Sequence, residues 1–142
     1  MGEPTDPKAL SADLMKAVQL LARDAVATSM AAGTMPGTDG VALAPRLREI
    51  VSAEMADVER VSGRVVSLGG TPSVTVKKLD PPQEAGATLE WLAAMHREAL
   101  DAVVDAIPAG ADDAEGEATE HLLEHIVARK RDVIELLERA MR

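Results

Sequence analysis

The sequence predicts an all-α protein, a bundle of four helices, and three observations carry that prediction. Apolar residues recur at helical spacing in four separate segments. Aromatic residues are nearly absent, with one Trp, no Phe and no Tyr in 142 residues, so the core must be built from Ala, Val, Leu, Ile and Met, which pack well between helices. The helix breakers fall so that two short connections flank one long one. A hydrophobic fraction of 46% over residues 1–142 suffices for one domain with a proper core.

The first helix is expected over residues 7–32, with Asp6 as N-cap, Pro7 in the first turn and "GTMPGTDG" as the stop. Its apolar stripe runs Leu10, Leu14, Ala17, Val18, Leu21 and Ala25, with Asp24 and Thr28 on the same line. The second helix is expected over residues 41–68, because Pro45 is tolerable only near a helix start. Its stripe holds Leu43, Leu47, Ile50, Val51, Val58, Val61, Val65 and Leu68, and Glu54 falls in the middle of it. Residues 69–86, "GGTPSVTVKKLDPPQEAG", form a long crossover; the extended run "SVTVKKL" is too little for a sheet. The third helix spans 86–107 and is clear from Thr88 onward, with His96 at the centre of a stripe of Leu89, Leu92, Ala93, Leu100, Val103 and Ile107. "PAGADDAEG" makes a short turn into a fourth helix at 113–141, whose acidic beginning suits the positive end of a helix dipole. Leu122, Leu123, Ile126, Val133, Ile134 and Leu137 face its core side together with Lys130. Short loops make neighbours antiparallel, so the chain reads as two antiparallel hairpins joined by one long crossover.

Charge and composition restrict the partners. A net charge of −9 leaves no concentrated basic face for phosphate backbones, so no nucleic acid is expected. The run "ARKR" at 128–131 is too short to change that and suits the negative end of its own helix and the acids around it. The absence of cysteine removes disulfides and thiolate metal sites. "MGEPTDPK" is no signal segment, and no apolar run reaches membrane-spanning length, so a cytoplasmic protein without membrane contact is expected.

The informative residues are the polar ones on apolar stripes. At about 100° per residue, Leu47, Val58 and Val65 project within roughly 40° of Glu54, and Asp57 about 60° to one side. Each helix thus offers an ionisable group to the bundle interior: Asp24, then Glu54 with Asp57, then His96, then Lys130. An isolated buried charge costs several kcal/mol, so such groups must be paired, solvated or bound to metal. Two arrangements satisfy this. Asp24, Glu54, Asp57 and neutral His96 form an oxygen-rich set with one imidazole, suited to a single iron, manganese or zinc ion. Alternatively, Lys130 with protonated His96 neutralises most of the carboxylate charge and no metal binds; this metal-free, ion-paired core is the favoured expectation.

The segment "EMADVERVSGRVVSLGGTP", residues 54–72, resembles the second helix of the bacterioferritin branch of the ferritin-like superfamily. There a Glu-x-x-His pair precedes an Arg and a Leu-Gly-Gly type of stop. The resemblance implies a ferritin-like bundle in which Glu54 matches the metal-bridging glutamate and Asp57 stands in place of histidine. Through "LARDA" it places Asp24 on the first-helix ligand, and through "MHREALDAVVDAI" it places His96 on the third-helix glutamate. In "LLEHIVARKRDVIELL", Lys130 and Val133 occupy the positions of the second Glu-x-x-His pair. A degenerate two-iron site follows, with a cation in place of a bridging carboxylate and one imidazole lost. Tyrosyl-radical chemistry is excluded by the lack of Tyr. Met55 matches the methionine that ligates haem between bacterioferritin subunits, although adaptable packing at a helix edge is the favoured reading. The sequence ends at Arg142 within the fourth helix, leaving no fifth helix and making a full storage shell unexpected.

Three functions remain open at this stage: a non-catalytic binding or structural protein that has lost two-iron ferroxidase activity, a mono-metal protein in iron or manganese handling or oxidoreduction, and a homodimeric interaction module. Enzymatic activity is expected only if a metal site survives. A dimer through the first two helices fits the apolar edges at Met15, Leu20 and Met55. His121 and His125 stand one helical turn apart beside Glu120 and Glu124, a spacing that can bind zinc, but their projection away from Ile126 and Leu137 favours a solvated face.

Overall fold

A computed structural model describes residues 4–108 and 113–142, which form four helices and no strand. Helix α1 spans Pro7–Thr34, α2 Gly37–Ser67, α3 Ala85–Ala106 and α4 Ala114–Ala140. The Asp6 carboxylate starts α1 by accepting from the amides of Lys8 at 3.1 Å and Ala9 at 3.4 Å. Pro7 occupies the first turn, where its missing N–H leaves no bond unmade.

The second helix departs from the expected start at 41. It begins at Gly37, only Met35 and Pro36 separate it from α1, and Pro45 stands inside it. Extended Pro36 and Gly37, at φ +80°, reverse the chain within the space of a tight turn. A Cβ on Gly40 would lie 2.2 Å from the Met35 carbonyl oxygen, so the first turn of α2 packs backbone to backbone on the end of α1. The glycines that look like breakers in the sequence are what make this close approach possible. At the far end, Gly69 adopts φ +87° and the Gly70 amide donates to the Val65 carbonyl at 2.9 Å, which closes α2 at the "LGG" stop.

Residues 70–82 cross over without regular structure. The Gln19 side chain holds this segment along α1, accepting from the Thr75 amide at 2.9 Å and donating to the Thr75 carbonyl. Asp113 caps α4 through the Gly116 amide at 2.8 Å and also accepts from the Thr5 amide at 3.0 Å and hydroxyl at 2.5 Å. The remainder of the "PAGADDAEG" turn, residues 109–112, lies outside the described residues.

Helix α1 packs broadly on α2 and α3, and α3 on α4, whereas the α2–α4 edge is the thinnest of the four sides. Arg64 near the end of α2 reaches Glu115 near the start of α4 at 2.5 Å, so these helices run antiparallel. The apolar interior divides into two halves. One gathers Leu14, Leu21, Val61, Val65, Val103 and Ile126, and the other Ala31, Leu47, Ile50, Leu92, Val133 and Leu137. A buried polar layer lies between them.

Candidate functional site

Each helix contributes one ionisable side chain to that layer: Asp24 from α1, Glu54 from α2, His96 from α3 and Lys130 from α4, none more than 4% exposed. They meet because each sits near the middle of its helix on the apolar stripe. The Lys130 ammonium donates to Asp24 Oδ2 at 2.6 Å and Glu54 Oε1 at 2.8 Å, and lies 3.0 Å from His96 Nδ1. An ammonium has three protons to give, and three acceptors surround this one. Assigned from these partners, the imidazole turns the Nδ1 lone pair to Lys130 and donates from Nε2 to Thr28 Oγ1, 3.0 Å away. Asp24 Oδ1 is held from outside by its neighbour Arg23, through Nε at 3.1 Å and Nη2 at 3.0 Å. Arg23 also donates to the Met95 carbonyl at 2.9 Å and to Glu98 at 3.1 Å, tying α1 to α3.

Burial pushes the Asp24 carboxyl above its ordinary value, against the pull of Lys130. At Glu54 burial is again the largest single influence and acts upward. The Lys130 ammonium, by its charge and its hydrogen bond to Oε1, acts against it, and that carboxyl is held below its ordinary value. One oxygen of this pair is left over: Glu54 Oε2 is buried with no hydrogen-bond partner. Beside it, a pocket of about 130 Å³ opens through the thin α2–α4 edge, with Glu54, Asp57, Lys130 and Val133 among its walls.

The structure brings Asp24, Glu54 and His96 into one group, with ligand atoms that all lie within 4.8 Å of one another. Asp57 is buried but stands apart from that group. Arg129 donates to both of its oxygens, from Nε at 3.1 Å and from Nη2, and Arg60 adds a bond of 3.2 Å. Met55 is half exposed on α2, at 51%, and Val133 is buried. His121 and His125 are exposed on α4.

Sequence reasoning placed Thr28 on the α1 stripe without naming its partner, and it missed Arg23 and Arg129 as the groups that hold Asp24 and Asp57. The Thr28 pairing was findable, because the residue lies on the α1 stripe one turn after Asp24 and a buried hydroxyl there needs a partner. Arg129 belongs to the "ARKR" run, and it serves the buried Asp57 of α2 in addition to any role near its own helix end. Arg23 sits beside Asp24 on the chain but off the stripe, and nothing in the pattern announces its inward turn.

No protein-family model matches this sequence, and no curated protein matches it. Solved structures do. A ferritin-like, diiron-carboxylate protein from Bacillus anthracis str. Ames superposes with a TM-score of 0.87 at 18% identity, over 99% of this chain and 100% of that one. The dodecameric thioferritin from Bacteroides fragilis, a bacterioferritin-related protein, matches at a TM-score of 0.84 and 15% identity, over 96% and 86%. BfrA from M. tuberculosis matches at 0.70 and 21%, over 98% and 84%. The buried four-helix layer and these superpositions agree on one conclusion: this chain has the ferritin-like fold.

Proposed function

We propose that this protein is a ferritin-fold bundle in which an internal ammonium replaces the metal centre, so that it works as a non-catalytic binding or structural protein instead of a ferroxidase. The observation that carries this reading is the position of Lys130 Nζ, 2.6 to 3.0 Å from all three atoms that would ligate a metal. A cation bound by two carboxylate oxygens and an imidazole at about 2.0–2.2 Å would need the space that Nζ takes. The donor set therefore does not fit a metal while Lys130 is in place. The similar Bacillus anthracis protein is described as a diiron-carboxylate protein. In this chain a second metal would lack both a carboxylate and an imidazole, because by the resemblance of the fourth-helix segment Lys130 and Val133 stand at those positions. Assembly belongs to the same reading: the apolar edge at Met55 supports self-association, for which a homodimer is the simplest form, and a cytoplasmic location accords with the reduced, cysteine-free composition.

A second reading, one bound iron or manganese ion, is favoured by the spare Glu54 Oε2 and the adjoining pocket, since an orphaned buried carboxylate oxygen calls for a donor or a cation. Elemental analysis and ferrous-iron oxidation assays on protein purified without chelator and then loaded with iron or manganese separate the two. The proposal expects no bound metal that depends on the core and no oxidation above the uncatalysed rate. Near-stoichiometric metal that both Glu54→Ala and His96→Ala abolish would overturn it in favour of the mono-metal reading.

A further inference from the structure

Apart from the buried layer, α4 carries a second group of metal-ligating side chains. His121 and His125 are exposed and one turn apart in "HLLEH", and their rings meet edge to face with centroids 4.6 Å apart. The two Nε2 atoms stand 3.3 Å from each other. That is long for a hydrogen bond between ring nitrogens, which prefers about 2.9–3.0 Å. It agrees with another geometry: two nitrogens bound to one zinc at 2.0–2.1 Å and a tetrahedral angle lie about 3.3–3.4 Å apart. A square-planar or octahedral ion with similar bond lengths would hold adjacent nitrogens closer, at about 2.8–3.0 Å.

We propose that His121 and His125 form a surface zinc site, with Nε2 of each ring as ligands and water completing the coordination. Two shallow recesses meet at His121. Glu117, Glu120 and Glu124 line the first with it, and Glu124 lines the second with both rings. These carboxylates make the surroundings of the two imidazoles acidic. Neutral imidazole is a common zinc ligand, and an acidic surface raises the local concentration of cations. Arg129, the next residue along this line, is turned away toward Asp57. The helix supplies the spacing, so the two imidazoles bind as a chelate and the second meets the ion at high effective concentration. This site shares no residue with the Asp24, Glu54, His96 and Lys130 layer.

Titration of zinc chloride into the full chain, followed by calorimetry, tests the proposal, with cobalt substitution to report geometry by its visible absorption. One ion per chain is expected, with a tetrahedral cobalt spectrum. His121→Ala and His125→Ala are each expected to weaken zinc binding by roughly tenfold or more, as loss of a chelate partner requires. Both positions are exposed, so the variants should fold, which circular dichroism checks. Glu54→Ala, confirmed folded by circular dichroism, serves as a control for the core and should leave this binding unchanged. Absence of zinc binding, equal binding by the His121→Ala/His125→Ala double variant, or loss of binding in Glu54→Ala alone would each overturn the assignment.

Discussion

Lys130 and its three neighbours show how a core tolerates ions at the level of single atoms. Taking a carboxylate and an ammonium out of water costs several kcal/mol each, and the bundle offsets this only because every Lys130 proton finds an acceptor. The same ammonium pulls both carboxyls down, yet their net shifts are opposite. Asp24 is held above its unfolded value near 3.8, chiefly by burial, so the charged form is strained there. Protonation relieves that strain, and Asp24 adds stability as the pH falls from its folded value toward 3.8. Glu54 is held below its unfolded value near 4.5, so its contribution is complete above 4.5 and is lost as the pH falls through the lower folded value. Acid unfolding should therefore change in opposite directions in two variants. With Glu54→Gln, the loss of stability on acidification becomes shallower than in the wild type, and with Asp24→Asn it becomes steeper. Urea unfolding midpoints measured from pH 6 to pH 3 check this, and parallel profiles for the two variants would show that the carboxylates are not in these different environments.

At the scale of elements, glycines do different work in one helix. In α2, Gly40 touches the Met35 backbone, whereas a Cβ on Gly63 would meet nothing within 4 Å. Gly63→Ala should stabilise the protein by about 0.5–1 kcal/mol, since alanine removes unfolded-state freedom and exposes no strain. Gly40→Ala should destabilise it by about 1–3 kcal/mol, the usual range when atoms are forced into a packed contact, and more if the Met35 carbonyl cannot move. Thermal unfolding of the two variants reads both signs, and a neutral Gly40→Ala would mean that the α1–α2 turn yields readily to an added methyl group. This pair also explains what the sequence could and could not reveal. Periodicity and capping were enough to place the four helices and the "LGG" stop, because those signals are local. The start of α2 was not legible, since "GTMPGTDG" reads as a loop until α1 is present to receive Gly40. The site divides in the same way. Asp24, Glu54, His96 and Lys130 announce themselves as ionisable residues on apolar stripes, but the separation of Asp57 depends on Arg129, which arrives from another helix.

For the whole molecule, the polar layer is a joint product of four helices, and it can be tested as one. Lys130 and Val133 lie one turn apart on α4, both beside Glu54 in the pocket at the α2–α4 edge. Lys130→Glu combined with Val133→His would exchange the ammonium at the centre for a carboxylate and add an imidazole on the pocket side. Without metal, the double variant must crowd three carboxylates into one buried layer, and breaking a buried pair in this way costs about 3–5 kcal/mol. With iron or manganese, the same ligands become a donor set of three carboxylates and two imidazoles, drawn from all four helices. Metal binding to the folded state alone returns stability as its concentration rises, by about 2.7 kcal/mol at a hundred times Kd. The expected outcome is a protein with a lowered Tm that ferrous iron raises in a concentration-dependent way, while the wild-type Tm stays unchanged at the same additions. Adding His121→Ala and His125→Ala to both proteins keeps any surface zinc-type binding out of the comparison. If the helices were rotated or shifted by a turn from the register described here, Glu and His at 130 and 133 would face apolar walls or solvent. The variant would then lose stability with no response to metal, and the idea of a ferritin-type centre replaced by one lysine would fail with it.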